Sequence, residues 1–155
     1  KECQLMPATK DYNADQYFSI PRVYAIYSKN GPEENVCREY ETKKKPDGTI
    51  VTTVSGDKKN RGQQHKTVLT CTNREKTDKP GQFSVECEVP GENGGKKKIQ
   101  VETSVLATDN KKYVVLQRCS KIGEVIMDDI VVLQTDKKRV EQGVENYFDM
   151  KRSKN

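Results

Sequence analysis

Apolar and polar positions alternate along most of this chain, in short runs rich in Val, Ile, Thr and Tyr separated by clusters of Gly, Pro, Asn, Asp and Lys. A period of two is the mark of a half-buried strand, because successive side chains point to opposite faces. The pattern predicts eight strands, near Val23–Tyr27, Val36–Thr42, Thr49–Ser55, Lys66–Thr72, Gln82–Glu88, Ile99–Leu106, Lys112–Cys119 and Asp129–Gln134. The breaks carry turn chemistry: Lys29-Asn30-Gly31-Pro32, Pro46-Asp47-Gly48, Ser55-Gly56-Asp57, Lys79-Pro80-Gly81, Pro90 to Gly95, and Thr108-Asp109-Asn110. Only after the last strand does the period change. Val140, Val144, Tyr147 and Phe148 then fall at i, i+4, i+7 and i+8, which predicts an amphipathic helix over about 137–150 and leaves 151–155 unstructured.

Eight antiparallel strands in an open sheet leave two edges unpaired, and closing the sheet on itself removes both. The expected fold is therefore all-β: an eight-stranded up-and-down barrel over about 22–135, with the C-terminal helix against its outside, in one domain spanning 1–155. A two-sheet sandwich is the alternative. A barrel of this size is filled by its own side chains or holds one small ligand. Strict alternation assigns shared faces to Val36, Arg38 and Tyr40, to Phe83, Val85 and Cys87, to Val101, Thr103 and Val105, and to Tyr113, Val115 and Gln117. The expected lining is thus Arg38, Tyr40, Tyr27, Phe83, Val101, Tyr113, Val115 and Gln117, with Arg38 as anchor for an anionic group. No acidic residue has a strand phase that points clearly inward.

Composition narrows the chemistry. Charged residues make up 33% of the 155 and the hydrophobic set 32%, too little apolar material for a thick two-layer enzyme. There is one histidine, His65, expected in a polar loop before the fourth strand, and no nucleophile motif accompanies it. Gly91 to Lys96 lacks the order of a phosphate loop and reads as a hairpin turn. Asp128 and Asp129 are adjacent on a strand, so they face opposite ways and cannot chelate together. No enzyme, metal or cofactor is expected. The net charge is +5, with lysines clustered at 43–45, 58–59, 96–98, 111–112 and 137–138. Gathered at one mouth, these would steer an anionic ligand or an acidic protein surface. Acidic residues interspersed among them, and the absence of Trp, argue against nucleic acid. No run is long enough for a membrane span, and the start lacks an apolar signal region, so the chain reads as mature or never targeted.

Five cysteines, Cys3, Cys37, Cys71, Cys87 and Cys119, are scattered too widely for a zinc site, and suit an exported protein stapled by disulfides. Five is odd. The remaining thiol is either reactive or paired beyond residue 155.

The pieces Cys3-Gln-Leu-Met6, Tyr17-Phe-Ser-Ile-Pro-Arg-Val-Tyr24, Asn35-Val-Cys-Arg-Glu-Tyr40, Gly81-Gln-Phe-Ser-Val-Glu-Cys87, Glu102-Thr-Ser-Val-Leu-Ala-Thr-Asp109 and Asp129-Ile-Val-Val-Leu-Gln134 resemble salivary lipocalins of blood-feeding triatomine bugs, in the triabin family and nearest its pallidipin and triplatin group. The resemblance implies a lipocalin barrel secreted in saliva that acts against host haemostasis. It implies a Cys3 to Cys119 disulfide and a Cys71 to Cys87 disulfide, leaving Cys37 unpaired here; the second pair also suits neighbouring strands. The chain departs from the wider lipocalin pattern at three places. Ile20-Pro-Arg-Val-Tyr24 stands for the G-x-W motif, Asn110 ends the Thr-Asp-Tyr motif, and Gln134 replaces a late arginine, which leaves the barrel base without its cation–aromatic contact. His65 falls away from the haem-binding position of related carriers, near Thr53 and Val54. Two activities follow as expectations. One is sequestration of an amphipathic anionic mediator, an eicosanoid such as thromboxane A2, blocking platelet aggregation. The other is a protein-binding anticoagulant whose basic loops block thrombin or contact-phase factors such as factor XII. Biogenic-amine binding ranks last, for want of an inward carboxylate.

Overall fold

The computed structural model describes residues 3–28, 38–60, 63–76, 78–90, 96–122, 124–136 and 138–153. Eight antiparallel strands follow in order: β1 (Arg22–Ser28), β2 (Arg38–Lys44), β3 (Ile50–Asn60), β4 (Gln63–Glu75), β5 (Gln82–Pro90), β6 (Lys96–Thr108), β7 (Tyr113–Ile122) and β8 (Val125–Gln134). Each pairs with its neighbours in sequence, and β1 closes on β8 through Tyr24–Gln134, Ala25–Leu133, Tyr27–Val132 and Ser28–Val131. Closure disposes of both sheet edges, and the sandwich alternative falls. A short helix, α1 (Ala14–Tyr17), precedes the barrel, and a longer one, α2 (Gln142–Ser153), follows it.

Several strands outrun their predicted ends. Ser55-Gly56-Asp57, expected as a turn, lies inside β3, where Gly56 pairs with Arg38 on one side and Thr67 on the other. His65 is a strand residue opposite Lys58, not a loop residue. Ladder bonds on both flanks outweigh the weak strand preference of Gly and Asp there. The turns predicted at 29–32 and 91–95, and Val36 and Cys37, lie outside the described residues.

Two apolar cores result. The first fills the barrel, with Tyr40, Val54, Phe83, Val85, Val101, Val105, Leu116 and Leu133 among its buried members. The second lies outside the wall, where Val144 of α2 seats on Val115 and Val132, flanked by Ile26, Tyr113, Tyr147 and Phe148. The helix begins at Gln142 rather than near 137, because Gln134 organises the intervening turn. Its fully buried amide donates to Asp136 O (2.9 Å) and Arg139 O (2.7 Å) and accepts from Glu141 N (2.8 Å). The residue expected to weaken the barrel base instead ties the base to the helix. Val140 precedes α2 and is exposed, and the helix continues through residues expected to be unstructured. Gly143 is required where it stands: a Cβ there would overlap the Tyr113 ring.

Residues 3–13 form a strap across the outside of β5, β6 and β7. Cys3 is disulfide-bonded to Cys119, Met6 N donates to Gln117 Oε1 (2.7 Å), Ser104 Oγ donates to Met6 O (2.7 Å), and Thr9 N donates to Val105 O (2.8 Å). Gly81 lies so close beneath the strap that a Cβ would collide with Ala8. Asn110 grips the strap's far end, donating from Nδ2 to Asp11 O (2.7 Å) and accepting from Asn13 N (2.9 Å). It takes the left-handed conformation, φ 62°, which Asn tolerates better than most residues. That is what the departure from the Thr-Asp-Tyr motif does here.

Candidate functional site

The strap delivers α1 to the end of the barrel where β1 starts and β8 finishes. Asn13 caps the helix by accepting from Gln16 N (3.1 Å), and Tyr17 and Phe18 emerge from it into the lumen. They meet Phe83 from the wall: Phe18 edge-on at 5.3 Å between centroids and Tyr17 stacked at 6.2 Å, with Tyr12 closing the group from outside. This aromatic floor shuts one end. The last residues of β1, β3, β5 and β7 lie at the other.

Above the floor the described lumen keeps about 90 Å³ of free space. Its walls are mainly apolar, from Val23, Val54, Val85, Val114, Leu116 and Leu133. A polar ladder crosses one side, where Asn73 Nδ2 donates to Thr52 Oγ1 (2.8 Å) and the Thr42 and Thr52 hydroxyls share a hydrogen bond (2.9 Å). The Cys71 to Cys87 disulfide joins directly opposed residues of β4 and β5 on the inner face. Among the described residues one cation lines the cavity: Arg118 on β7. Its Nη1 donates to Tyr40 Oη (2.8 Å) and its guanidinium carbon lies 5.7 Å from the Tyr40 ring centroid. Such a contact binds the cation to the ring face as well as to the hydroxyl.

The predicted lining divides accordingly. Tyr40, Phe83 and Val101 are buried on the inner face, and Arg38, two residues from Tyr40 on β2, shares that phase and is half-buried. The other four are corrected. Tyr27 lies on the outer wall, edge-on to Phe148 at 5.6 Å, because a β-bulge between Ala25 and Tyr27 inserts one residue and reverses the alternation. Tyr113 and Val115 pack under α2, and Gln117 holds the strap. On β7 the even positions face inward, so Arg118 was missed and Gln117 taken in its place. Alternation failed there because Val114, Val115 and Leu116 are all buried, one face against the lumen and the other against α2. One signal could have set the phase: Cys119 is expected to bind Cys3, which must approach from outside, so residue 118 points in.

The same phase logic corrects the acidic count. Asp128 faces out, accepting from Gln117 Nε2 (3.2 Å), whereas Asp129 stands opposite Arg118 in register on the inner face. The two acids do diverge, and Asp129 shares the inward phase of Arg118. The lysine clusters do not meet at one mouth either. Those at 43–45, 111–112 and 138 lie at the floor end, and those at 58–59 and 96–98 at the opposite end.

The family model described as Triabin matches residues 1–147. The chain belongs to the triabin family. Curated members are similar over most of its length: pallidipin from Meccus pallidipennis is 54% identical over 93% of this chain and 77% of the relative. Dipetalodipin from Dipetalogaster maximus is 48% identical over 93% and 78%. Platelet inhibitor triplatin-2 from Triatoma infestans is 47% identical over 96% and 78%. Among solved structures, the tryptamine complex of the amine binding protein of Rhodnius prolixus aligns with a TM-score of 0.76 at 18% identity, covering 96% of this chain and 77% of that one. A mutant of LTBP1 in complex with leukotriene C4 aligns at 0.70 and 17%, covering 94% and 84%. These likenesses establish the lipocalin-like barrel. Triabin-family proteins of this kind are not enzymes. No helix among the described residues is long and apolar enough to cross a membrane.

Proposed function

We propose that this triabin-family chain is a secreted salivary protein that counters platelet aggregation by holding a small amphipathic anion of the eicosanoid class inside its barrel. The observation that carries the reading is Arg118, a cation set on Tyr40 within mainly apolar walls. An acid head needs such a partner once water is stripped from it, and an acyl chain needs the Val and Leu walls. The name of triplatin-2 supplies the physiological direction. Two disulfides suit an oxidising, extracellular setting. Arg38, on the same inner face nearer the mouth, is a second place for negative charge.

Sequestration asks only for affinity. A Kd of 1 μM corresponds to about −8 kcal/mol, which apolar burial plus one charge-assisted contact can supply. Calorimetric titration with a stable thromboxane analogue should show saturable binding, and the protein should protect platelets from the same agonist. Arg118→Gln should weaken binding roughly 10- to 100-fold, the worth of about 1.5–3 kcal/mol for a hydrogen bond to a charged group. No heat with the analogue and no protection of platelets would overturn the reading. Clotting inhibition that disappears when Lys96 to Lys98 are neutralised would put the protein-binding activity in its place.

A further inference from the structure

The described wall residues enclose a small space directly above the aromatic floor, about 90 Å³. That room suits a carboxylate and its first methylenes. The groups around it are hydrogen-bond donors in the right number for such a head. Arg118 spends one N–H on Tyr40 Oη, and a guanidinium has five. Tyr40 accepts that bond, so its own hydroxyl proton remains to be donated into the cavity. Tyr17 lines the same cavity from α1, together with Arg118 and Tyr40.

We propose that the barrel floor is a three-donor carboxylate site, in which Arg118, Tyr40 and Tyr17 close on the acid head of a guest whose tail runs along the lumen away from the floor. α1 is then part of the binding site as well as its plug. The inference rests on the function proposed above and specifies how that guest is read. Two carboxylate oxygens offer enough lone pairs for all three donors, whereas an ester offers no negative charge and a protonated amine no acceptor. Asp129, opposite Arg118 in register, is the group that would hold an amine instead.

The test compares three ligands on the intact protein by calorimetry: a stable thromboxane analogue as the free acid, the methyl ester of that analogue, and tryptamine. The acid should bind at least tenfold tighter than the ester, and tryptamine should bind weakest. Tyr17→Phe and Tyr40→Phe keep each ring and remove only the hydroxyl. Each should lower affinity for the acid about three- to tenfold while moving affinity for the ester little, so that the acid-to-ester ratio narrows. Thermal unfolding of both variants shows that the floor still packs. Acid and ester binding equally, or an unchanged ratio in Tyr17→Phe, would overturn the carboxylate site while leaving the lumen as a binding site. Tryptamine binding tighter than the acid would overturn it in favour of Asp129. Failure of both acid and ester to bind would instead remove the proposed function itself.

Discussion

Replacing Gln117 by Met separates a residue that lines the lumen from one that holds the strap. Gln117 is 2% exposed on the outer face of β7, and its amide makes two bonds to the strap's backbone: it accepts from Met6 N at 2.7 Å and donates to Gln4 O at 3.0 Å. A third bond reaches Asp128 Oδ1 at 3.2 Å. Methionine fills nearly the same volume, so the loss is one of hydrogen bonds and not of packing. At about 1 kcal/mol net for each bond, with more where a strap group is left without a partner, the expected destabilisation is about 2–4 kcal/mol. For a chain of this length that lowers Tm by roughly 4–16 °C. Urea unfolding should move its midpoint with little change in slope, since Cys3 still tethers the strap to Cys119. Hydrogen exchange at the Met6 amide should speed up before that of the barrel strands. Ligand affinity should stay within about twofold, because the side chain faces away from the cup. Unchanged stability together with weakened ligand binding would refute the outward placement of Gln117 and the phase of the whole strand.

Two further perturbations test other parts of the structure. Gly143→Ala drives a methyl into the Tyr113 ring, and should destabilise by about 1–3 kcal/mol and reduce helical circular dichroism, despite alanine's better helix propensity; the same change in a Tyr113→Leu background should be close to neutral, and a Gly143→Ala chain as stable as its parent would contradict the docking of α2. At the β6–β7 turn, partial burial pushes the Asp109 carboxyl up, but the N–H groups of Lys112, Lys111 and Tyr113 outweigh it and leave the group below its ordinary value. Its contribution is therefore complete above about pH 4, the unfolded carboxylate value, and is lost as pH falls through the lower folded value. Asp109→Asn should flatten the acid limb of a stability–pH profile, and an unaltered limb would show that those backbone bonds do not stabilise the turn.

What could be read from the residues was the alternation, and with it the number and order of strands and the closure that follows from counting edges. The disulfide pairing came with the family resemblance, and the structure contains both bonds. The lining was legible only where one face of a strand is wet. On β2, Glu39 and Glu41 face solvent with Arg22, so the phase of Tyr40 and Arg38 is legible as the opposite one. On β7 both faces are dry, and apolar character carries no phase. On β1 the phase reverses at a bulge that the sequence does not announce. Tyr17 and Phe18 precede the first predicted strand, and nothing in a strand pattern says that the segment before the barrel folds back to cork it. Gln134 was read as a missing cation; its amide supplies the same closure with hydrogen bonds to backbone groups far outside any strand register.

The single covalent link from Cys3 to Cys119 has a practical side. The strap that it anchors carries Tyr12 and leads into α1 with Tyr17 and Phe18, so the shape of the cup's base depends on a bond that a cytosolic expression host would keep reduced. Protein made there could present a well-formed cylinder by far-UV spectroscopy and still have its bottom ajar, with ligand measurements that describe a different vessel. Preparations intended for such measurements call for an oxidising secretory route, and counting titratable thiols before and after reduction would tell the two products apart.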